Sequence, residues 1–204
     1  ASMLLGLFLL PESLPSELRE TGSLRLGDFN PLASIGAMAR KPGVGGPLLA
    51  LCLFNFAFNG INSTETLFLI EKFAARPWQI GIWLALAGMA VVAVQRVVQP
   101  VVQRYGEQKT ATACLIGLAL GALATFFAPV LWLVYPVMVF RTMTSSSIFS
   151  TLGALTTNRV SPREQGVLMG VSAALASLMS VLGPVWAGAV YDQVMPSAPY
   201  WMGA

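Results

Sequence analysis

The sequence of 204 residues predicts an all-α integral membrane protein, a polytopic helical bundle with five complete transmembrane helices. Three observations predict this class. First, 55% of the residues are hydrophobic and 10% are charged, whereas about 25% of a soluble domain is charged. Second, stretches with at most one charge recur, each about as long as the roughly 20 residues that a span needs. Third, Lys and Arg gather in alternate connections between those stretches.

Several classes of function are excluded by residue types that are missing. Histidine is absent, which excludes histidine-based catalytic triads, metal sites and pH switches. Cys52 and Cys114 both lie inside apolar stretches, and neither a disulfide framework nor a metal-binding spacing can be built from them. No nucleotide-binding loop, catalytic carboxylate pair or activated nucleophile is visible. We therefore predict no enzyme activity, no cofactor, no metal and no nucleic-acid partner.

The distribution of charges places the spans along the chain. Complete spans are predicted at about 47–70, 78–100, 110–128, 130–157 and 166–191. Residues 1–10 have the composition of the end of a preceding transmembrane helix, stopped by Pro11, and residues 197–204 that of the start of a last one. Because both ends fall in apolar segments, we expect the sequence to be part of a longer polypeptide.

Orientation follows from the positive charges. Nine basic residues lie in the connections on one side and two, Lys72 and Arg76, on the other; the nine are Arg19, Arg25, Arg40, Lys41, Arg96, Arg104, Lys109, Arg159 and Arg163. An excess of this kind marks the cytoplasmic side. Residues 11–46 are therefore predicted to be a cytoplasmic linker, and residues 47–204 the transmembrane bundle.

The linker contains one candidate helix, over residues 31–40. Asn30-Pro31 is a favourable helix start, and apolar residues follow at helical spacing up to Arg40. We interpret 31–40 as a short amphipathic helix on the cytoplasmic membrane surface. The alternative is an ordinary loop with a few apolar residues.

The first span is the most polar. Asn55, Asn59, Asn62 and Thr66 recur at helical intervals and share a narrow stripe. Amide side chains are costly against lipid, so the stripe either lines a water-filled cavity or hydrogen-bonds to neighbouring helices. Glu65 lies roughly 27 Å along the helix from its start, near the outer interface, where its charge is expected to be solvated.

The fourth span contains Arg141, roughly 16 Å from the start of the span and close to the bilayer centre. An arginine there costs at least about 2.5–3.5 kcal/mol, so it must face a polar interior and have a partner. The partner is Glu65 or a carboxylate outside this chain. The next turns are rich in hydroxyls, among them Ser145. Arg141 is interpreted as an anion-binding or coupling residue in a central cavity, or alternatively as a structural anchor.

Two further features concern packing and bending. In the third span Ala113, Gly117 and Gly121 form a face of small residues suited to helix packing. Pro136 in the fourth span, and Gly183-Pro184 in the fifth, are candidate hinges because proline removes an intrahelical hydrogen bond.

The order of these segments resembles the major facilitator superfamily, specifically the carboxy-terminal half of its drug–proton antiporters, including tetracycline-efflux-like proteins. Residues 99–109 resemble the second copy of that family's cytoplasmic loop motif, which Arg104, Gly106 and Lys109 match, whereas Gln99 and Gln103 depart from it. Residues 10–13 and 161–166 resemble the end of its sixth helix and the loop before its eleventh. The resemblance implies half of a major facilitator fold, spanning helices seven to eleven.

Two functions are consistent with this organisation. The first is a secondary active transporter that exports a small molecule in exchange for protons by alternating access. The resemblance then implies a missing amino-terminal half that holds most proton-coupling carboxylates, and a multi-pass location in lipid, in a bacterial inner membrane. The candidate substrate or coupling residues are Arg141, Asn55, Asn59, Asn62, Glu65 and Ser145. The alternative is a non-transporting membrane subunit or assembly factor with the same helical scaffold.

Overall fold

The structure, a computed structural model, describes residues 31–196 and 198–203. Predictions for residues 1–30, including the preceding helix end, and for residues 197 and 204 lie outside the described residues. The described chain is all-helical, which confirms the predicted fold class. The helices are α1 Pro31–Ala39, α2 Gly45–Phe73, α3 Pro77–Tyr105, α4 Glu107–Phe127, α5 Leu131–Thr157, α6 Gln165–Gln193 and α7 Ala198–Met202, with a 3-10 turn at Pro162–Glu164.

Length and composition together qualify three of the described helices, α3, α4 and α6, to cross a membrane. Helices α2 and α5 are long enough, with 29 and 27 residues, because about 20 residues suffice. Helix α2 carries Glu65, and α5 carries Arg141. Their membrane crossing stays a prediction.

The long helices pack in two groups. Helix α2 packs along α6, and α5 packs on α4 and α3. Contact between α2 and α5 joins the groups through one apolar cluster that includes Phe68, Val134 and Met138 and another that includes Phe54 and Ile148. The short helix α7 lies across α4, α6 and α2. Glu65 of α2 and Arg141 of α5 are both buried inside the bundle.

The outer faces of the bundle are apolar. Met89 and Val92 on α3 and Val181 and Val185 on α6 are each about 60% or more exposed. Large exposed apolar surfaces of this kind are typical of contact with a membrane or with another protein segment.

Helix α3 is longer than predicted. It passes through Pro100 and ends at Tyr105, where Gly106 has φ 82° and ψ 158°. Glycine tolerates a positive φ without steric cost, so this residue, rather than the proline, separates α3 from α4. The predicted span ended at about Pro100 because it was placed from the distribution of charges, whereas the helix continues past the one hydrogen bond that the proline cannot make.

Residues 31–39 are helical rather than a loop, and α1 packs against the bundle. Met38 is 6% exposed and lies in a cluster with Leu48 of α2 and Val171 of α6. The apolar side of α1 therefore covers the ends of α2 and α6. Its predicted position on a membrane surface stays a prediction.

Candidate functional site

The centre of the candidate site is an ion pair between α2 and α5. Arg141 Nη2 lies 2.5 Å from Glu65 Oε1, and both side chains are 8% exposed. A buried charge is stable only when it is paired, because its desolvation cost is otherwise several kcal/mol. The structure thus brings together two residues that the sequence placed at different depths. The expectation that Glu65 is solvated is wrong, since this carboxylate is buried against Arg141.

Helix α4 gives Arg141 its space. A Cβ added to Gly121 would lie 3.4 Å from Arg141 Cγ, and one added to Gly117 would lie 3.0 Å from Thr144 Cγ2. The small residues on α4 therefore allow α5 to approach closely, as the repeated spacing of small residues indicates. The arginine stem is enclosed by backbone on this side, which directs the guanidinium toward α2 and α7.

Helix α7 closes the site from the other side. Arg141 Cζ lies 5.6 Å from the centre of the Tyr200 ring, and Tyr200 is fully buried. A cation at this distance from an aromatic face is attracted to it. Arg141 Nη1 and the Tyr200 hydroxyl oxygen are both buried without a hydrogen-bond partner among the described residues. The guanidinium thus keeps unused donor capacity beside a second unused polar group.

A cavity of about 280 Å³ borders the ion pair. It lies between α2 and α4, and Gly203 also lines it. Its walls are mostly aliphatic and aromatic and include Phe54, Phe58 and Leu118. Arg141 and Asn62 are its polar members. An apolar cavity with a few polar groups is typical of small-molecule binding sites.

The asparagine stripe is divided between different surroundings. The side-chain nitrogens of Asn55, Asn59 and Asn62 donate to the carbonyl oxygens four residues earlier, at 2.7–2.8 Å. Asn62 is exposed and lines the cavity, whereas Asn55 is buried. Asn59 lies against α6, because a Cβ added to Gly183 would be 3.3 Å from Asn59 Cβ. The structure therefore brings only Asn62 to the cavity that Arg141 lines.

Hydroxyl groups of α5 bond to their own helix. Ser145 Oγ donates to the Thr142 carbonyl at 3.0 Å, and Thr144, Ser147 and Thr151 make similar bonds three or four residues back. Such local bonds satisfy hydroxyls in an apolar environment. Ser145 is buried one turn from Arg141, but its described hydrogen bond is to the backbone and not to the ion pair.

The predicted loop motif lies at the junction of α3 and α4, away from the ion pair. Gly106 provides the turn, Arg104 Cζ lies 5.5 Å from the Tyr105 ring centre, and Lys109 is exposed. Glu107 Oε1 accepts a hydrogen bond of 2.8 Å from Asn158 Nδ2 at the end of α5. The described contact of this turn is therefore with the α5–α6 connection.

The candidate hinges lie inside continuous helices. Pro136 is in α5, and Gly183 and Pro184 are in α6. Gly183 is buried against α2. Hinge motion at these positions stays a prediction.

Sequence reasoning missed several contacts that hold α2. Tyr191 donates to Glu71 Oε2 at 2.5 Å, and Lys72 Nζ donates to the Phe126 carbonyl at 2.6 Å. Tyr200 was also missed, because an eight-residue segment is too short to show a periodic face. The adjacent Glu71-Lys72 pair at the end of α2 was the available signal, since charges at a helix end often bond to neighbouring helices.

Known proteins share both the sequence pattern and the fold. The chain is 29% identical over 204 residues to the class C tetracycline resistance protein of Escherichia coli, covering 99% of this chain and 50% of that protein. It is 28% identical over 123 residues to the class G protein of Vibrio anguillarum, covering 60% of this chain and 31% of that protein. The chain thus spans about half the length, or less, of these curated relatives.

A solved structure extends the comparison to the fold. The chain superposes with a TM-score of 0.86 on the human organic anion transporter MFSD10 (TETRAN), at 22% identity, covering 98% of this chain and 51% of that one. The profile of the Major Facilitator Superfamily matches residues 1–204. Because this match covers all of the sequence, the chain belongs to the major facilitator superfamily.

Proposed function

We propose that this chain is one half of a secondary active transporter, which exports a small molecule in exchange for protons by alternating access. The observation that carries the proposal is the buried ion pair between Glu65 and Arg141. Ionisable groups inside a membrane are costly, and they mark ion and substrate pathways. Membership of a transporter family, which is not a family of enzymes, supports the same conclusion.

The two partners would have different tasks in such a cycle. Arginine stays protonated at any physiological pH, whereas a carboxylate can take up a proton. A proton on Glu65 would remove the charge that balances Arg141 and would favour a state in which the guanidinium reaches water or an acceptor on the substrate. The Tyr200 ring also lies against Arg141 and would keep the cation in place meanwhile. Glu65 is therefore proposed as a coupling residue of this half.

The substrate proposed is a small amphipathic molecule. Two relatives are named as tetracycline resistance proteins, which supports an antibiotic-like compound. Asn62 and Arg141 are the candidates for substrate contact, because both line an otherwise apolar cavity. Asn55, Asn59 and Ser145 are weaker candidates, since their described hydrogen bonds are made to their own helices.

The location proposed is a bacterial inner membrane, in which the segment 11–46 faces the cytoplasm. Bacterial relatives and the Lys/Arg distribution support this orientation. A cysteine placed at Ser23 should react only with reagent supplied from the cytoplasmic side. Labelling by an impermeant reagent in intact cells would contradict the orientation.

Transport assays in vesicles test the activity. The protein, together with its amino-terminal transmembrane half, is reconstituted with a pH gradient and a panel of compounds that includes tetracycline. Uptake or extrusion should require the gradient and stop when a protonophore collapses it. Flux that ignores the gradient would exclude antiport, and no flux across the panel would contradict transport.

The loop motif favours a second candidate, a non-transporting membrane subunit or assembly factor. Gln99 and Gln103 replace the glycine and the acidic residue of the motif, which weakens its proposed role in conformational change. Mass spectrometry of the native protein distinguishes the candidates. A half-length chain stably bound to unrelated subunits would favour this second function, and a mass near twice 21.7 kDa the transporter.

A further inference from the structure

We propose that the turn before α2 and the connection between α5 and α6 form a clasp. The clasp fixes α1, which we call the strap, to the end of the bundle. The clasp comprises residues 41–45 on one side and residues 158–164 on the other. It lies at the end of the bundle opposite to Glu71, and it is separate from the ion pair of Glu65 and Arg141.

Two polar contacts cross the clasp. Lys41 Nζ forms an ion pair with Glu164 Oε1, and Arg159 Nη1 donates to the Gly43 carbonyl oxygen. These partners are 123 and 116 residues apart in the sequence. Glu164 also accepts a hydrogen bond of 2.8 Å from the Ser161 hydroxyl, which fixes the carboxylate in the turn before α6. The contacts thus join two distant connections that the order of helices brings to the same end.

The backbone at the end of α1 packs closely against the backbone at the start of α2. Gly43 has φ 79°, which favours glycine. A Cβ added to Gly45 would lie 2.2 Å from the Ala39 carbonyl oxygen, so the end of α1 rests directly on the start of α2. A Cβ added to the next residue, Gly46, would meet nothing within 4 Å. The close approach of α2 to the end of α1 therefore requires a glycine at position 45 but not at position 46.

Apolar burial supplies most of the attachment. Val44 is fully buried, and Met38, which is 6% exposed, packs in a cluster with Leu48 of α2 and Val171 of α6. The Lys41–Glu164 pair is about one-third exposed, and exposed ion pairs contribute little. The ion pair therefore orients the strap, while the burial of Val44 and Met38 contributes most of its binding to the bundle.

The clasp also contacts the turn between α3 and α4. Asn158, at the end of α5, donates to Glu107 at the start of α4. Three connections of the bundle thus meet at residues 158–164. A movement of α2 and α6 must then carry α1 with it.

The first test compares Gly45→Ala with Gly46→Ala in a background with Cys52→Ser, Cys114→Ser and a reporter Ile35→Cys. Ile35 is partly buried against the α1 cluster. Gly45→Ala should raise the rate of labelling at position 35 about tenfold, because local opening exposes the thiol, while Gly46→Ala should leave it unchanged. Equal labelling rates in the two variants would overturn the clasp.

A second variant set removes the polar contacts without adding volume. Lys41→Ala with Arg159→Ala should also raise labelling at position 35, by less than Gly45→Ala, whereas Arg40→Ala removes an exposed charge beside the clasp and should have no effect. A stronger effect of Arg40→Ala would indicate a general response to charge and would overturn the assignment of Lys41 and Arg159.

A cross-link tests whether the strap stays closed. Met38→Cys with Val171→Cys should form a disulfide in the folded protein, and the oxidised protein should keep the transport rate of its reduced form. Loss of transport that reductant restores would overturn a fixed strap. Absence of transport in both forms would count against the proposed function, and the labelling rates would still decide on the clasp.

Discussion

Gly60 of α2 and Gly183 of α6 lie at a crossing where the two backbones are in contact. A Cβ added to Gly183 would lie 2.9 Å from the Gly60 nitrogen and 2.6 Å from the Phe56 carbonyl oxygen. A Cβ added to Gly60 would lie 3.1 Å from the Gly183 carbonyl oxygen. Small residues at helix crossings permit this approach in membrane proteins, and the crossing fixes α2 and α6 as a pair.

Gly183→Ala should therefore destabilise the bundle. The added methyl group meets backbone atoms, which cannot rotate away, so we expect a loss of about 1–3 kcal/mol, as for other overpacked sites. The control is Gly170→Ala in the same helix, where nothing lies within 4 Å of the added Cβ. That variant should be neutral or slightly stabilising, because alanine has the higher helix propensity. Thermal unfolding in detergent measures both, and similar Tm values for the two variants would contradict the crossing.

Asn62 and Asn55 should differ in their access to water. In a background without native cysteines, Asn62→Cys should react with small water-soluble thiol reagents much faster than Asn55→Cys, because residue 62 is exposed at the cavity and residue 55 is buried. Phe56→Cys serves as a reference on another side of the helix. Equal protection at positions 62 and 55 would show that the cavity is closed to water.

Acid should loosen the strap that α1 forms. The hydrogen bond from Lys41, followed by bonds from Ser161, lowers the pKa of Glu164 below its usual value. A carboxyl whose pKa is lower in the folded state stabilises that state above its unfolded pKa, about 4.3, and loses this effect as the pH falls through the folded value. A spin label at Gly36 should become more mobile only below about pH 4.

Glu164→Gln should remove that acid-dependent step and leave the label equally mobile across the range. Persistence of the step in Glu164→Gln would assign the titration to another group. The effect should be small, since the ion pair is partly exposed and apolar contacts of Met38 and Val44 remain at any pH.

The sequence predicts the helices well because uncharged stretches of span length have few alternatives. It predicts their mutual placement poorly. Distances along two helices put Glu65 near the outer interface and Arg141 close to the bilayer centre, yet the side chains meet. Helix starts do not share one height, and an arginine side chain is long. Helical spacing showed that the asparagines share a stripe, but not that α6 covers Asn59 while Asn62 remains open.

Contacts between connections that are distant in the sequence could not be predicted, for a related reason. Lys41 and Glu164 lie in polar loops, where no periodicity predicts a partner 123 residues away. Tyr200 lies in a short terminal helix whose packing depends on the whole bundle. Such contacts are set by tertiary structure, whereas the spans are set locally by hydrophobicity.

Substitutions can separate the structural from the functional role of the ion pair between Glu65 and Arg141. Arg141→Ala leaves the Glu65 carboxylate buried without its partner. Glu65→Gln leaves the Arg141 guanidinium buried without a partner of opposite charge. Each single variant should lose about 3–5 kcal/mol of stability, since breaking a buried pair strands one charge. Arg141→Lys keeps the charge but loses the planar geometry of the guanidinium, so it should express nearly normally and transport poorly.

The double variant Glu65→Leu with Arg141→Met decides between the roles. Replacing a buried pair by apolar residues of similar size is often neutral or stabilising, so its unfolding temperature should return close to that of the original protein. If the pair couples protons to substrate movement, gradient-driven transport per folded protein should remain lost despite the recovered stability. Transport that recovers together with stability would reduce Glu65 and Arg141 to a structural anchor between α2 and α5.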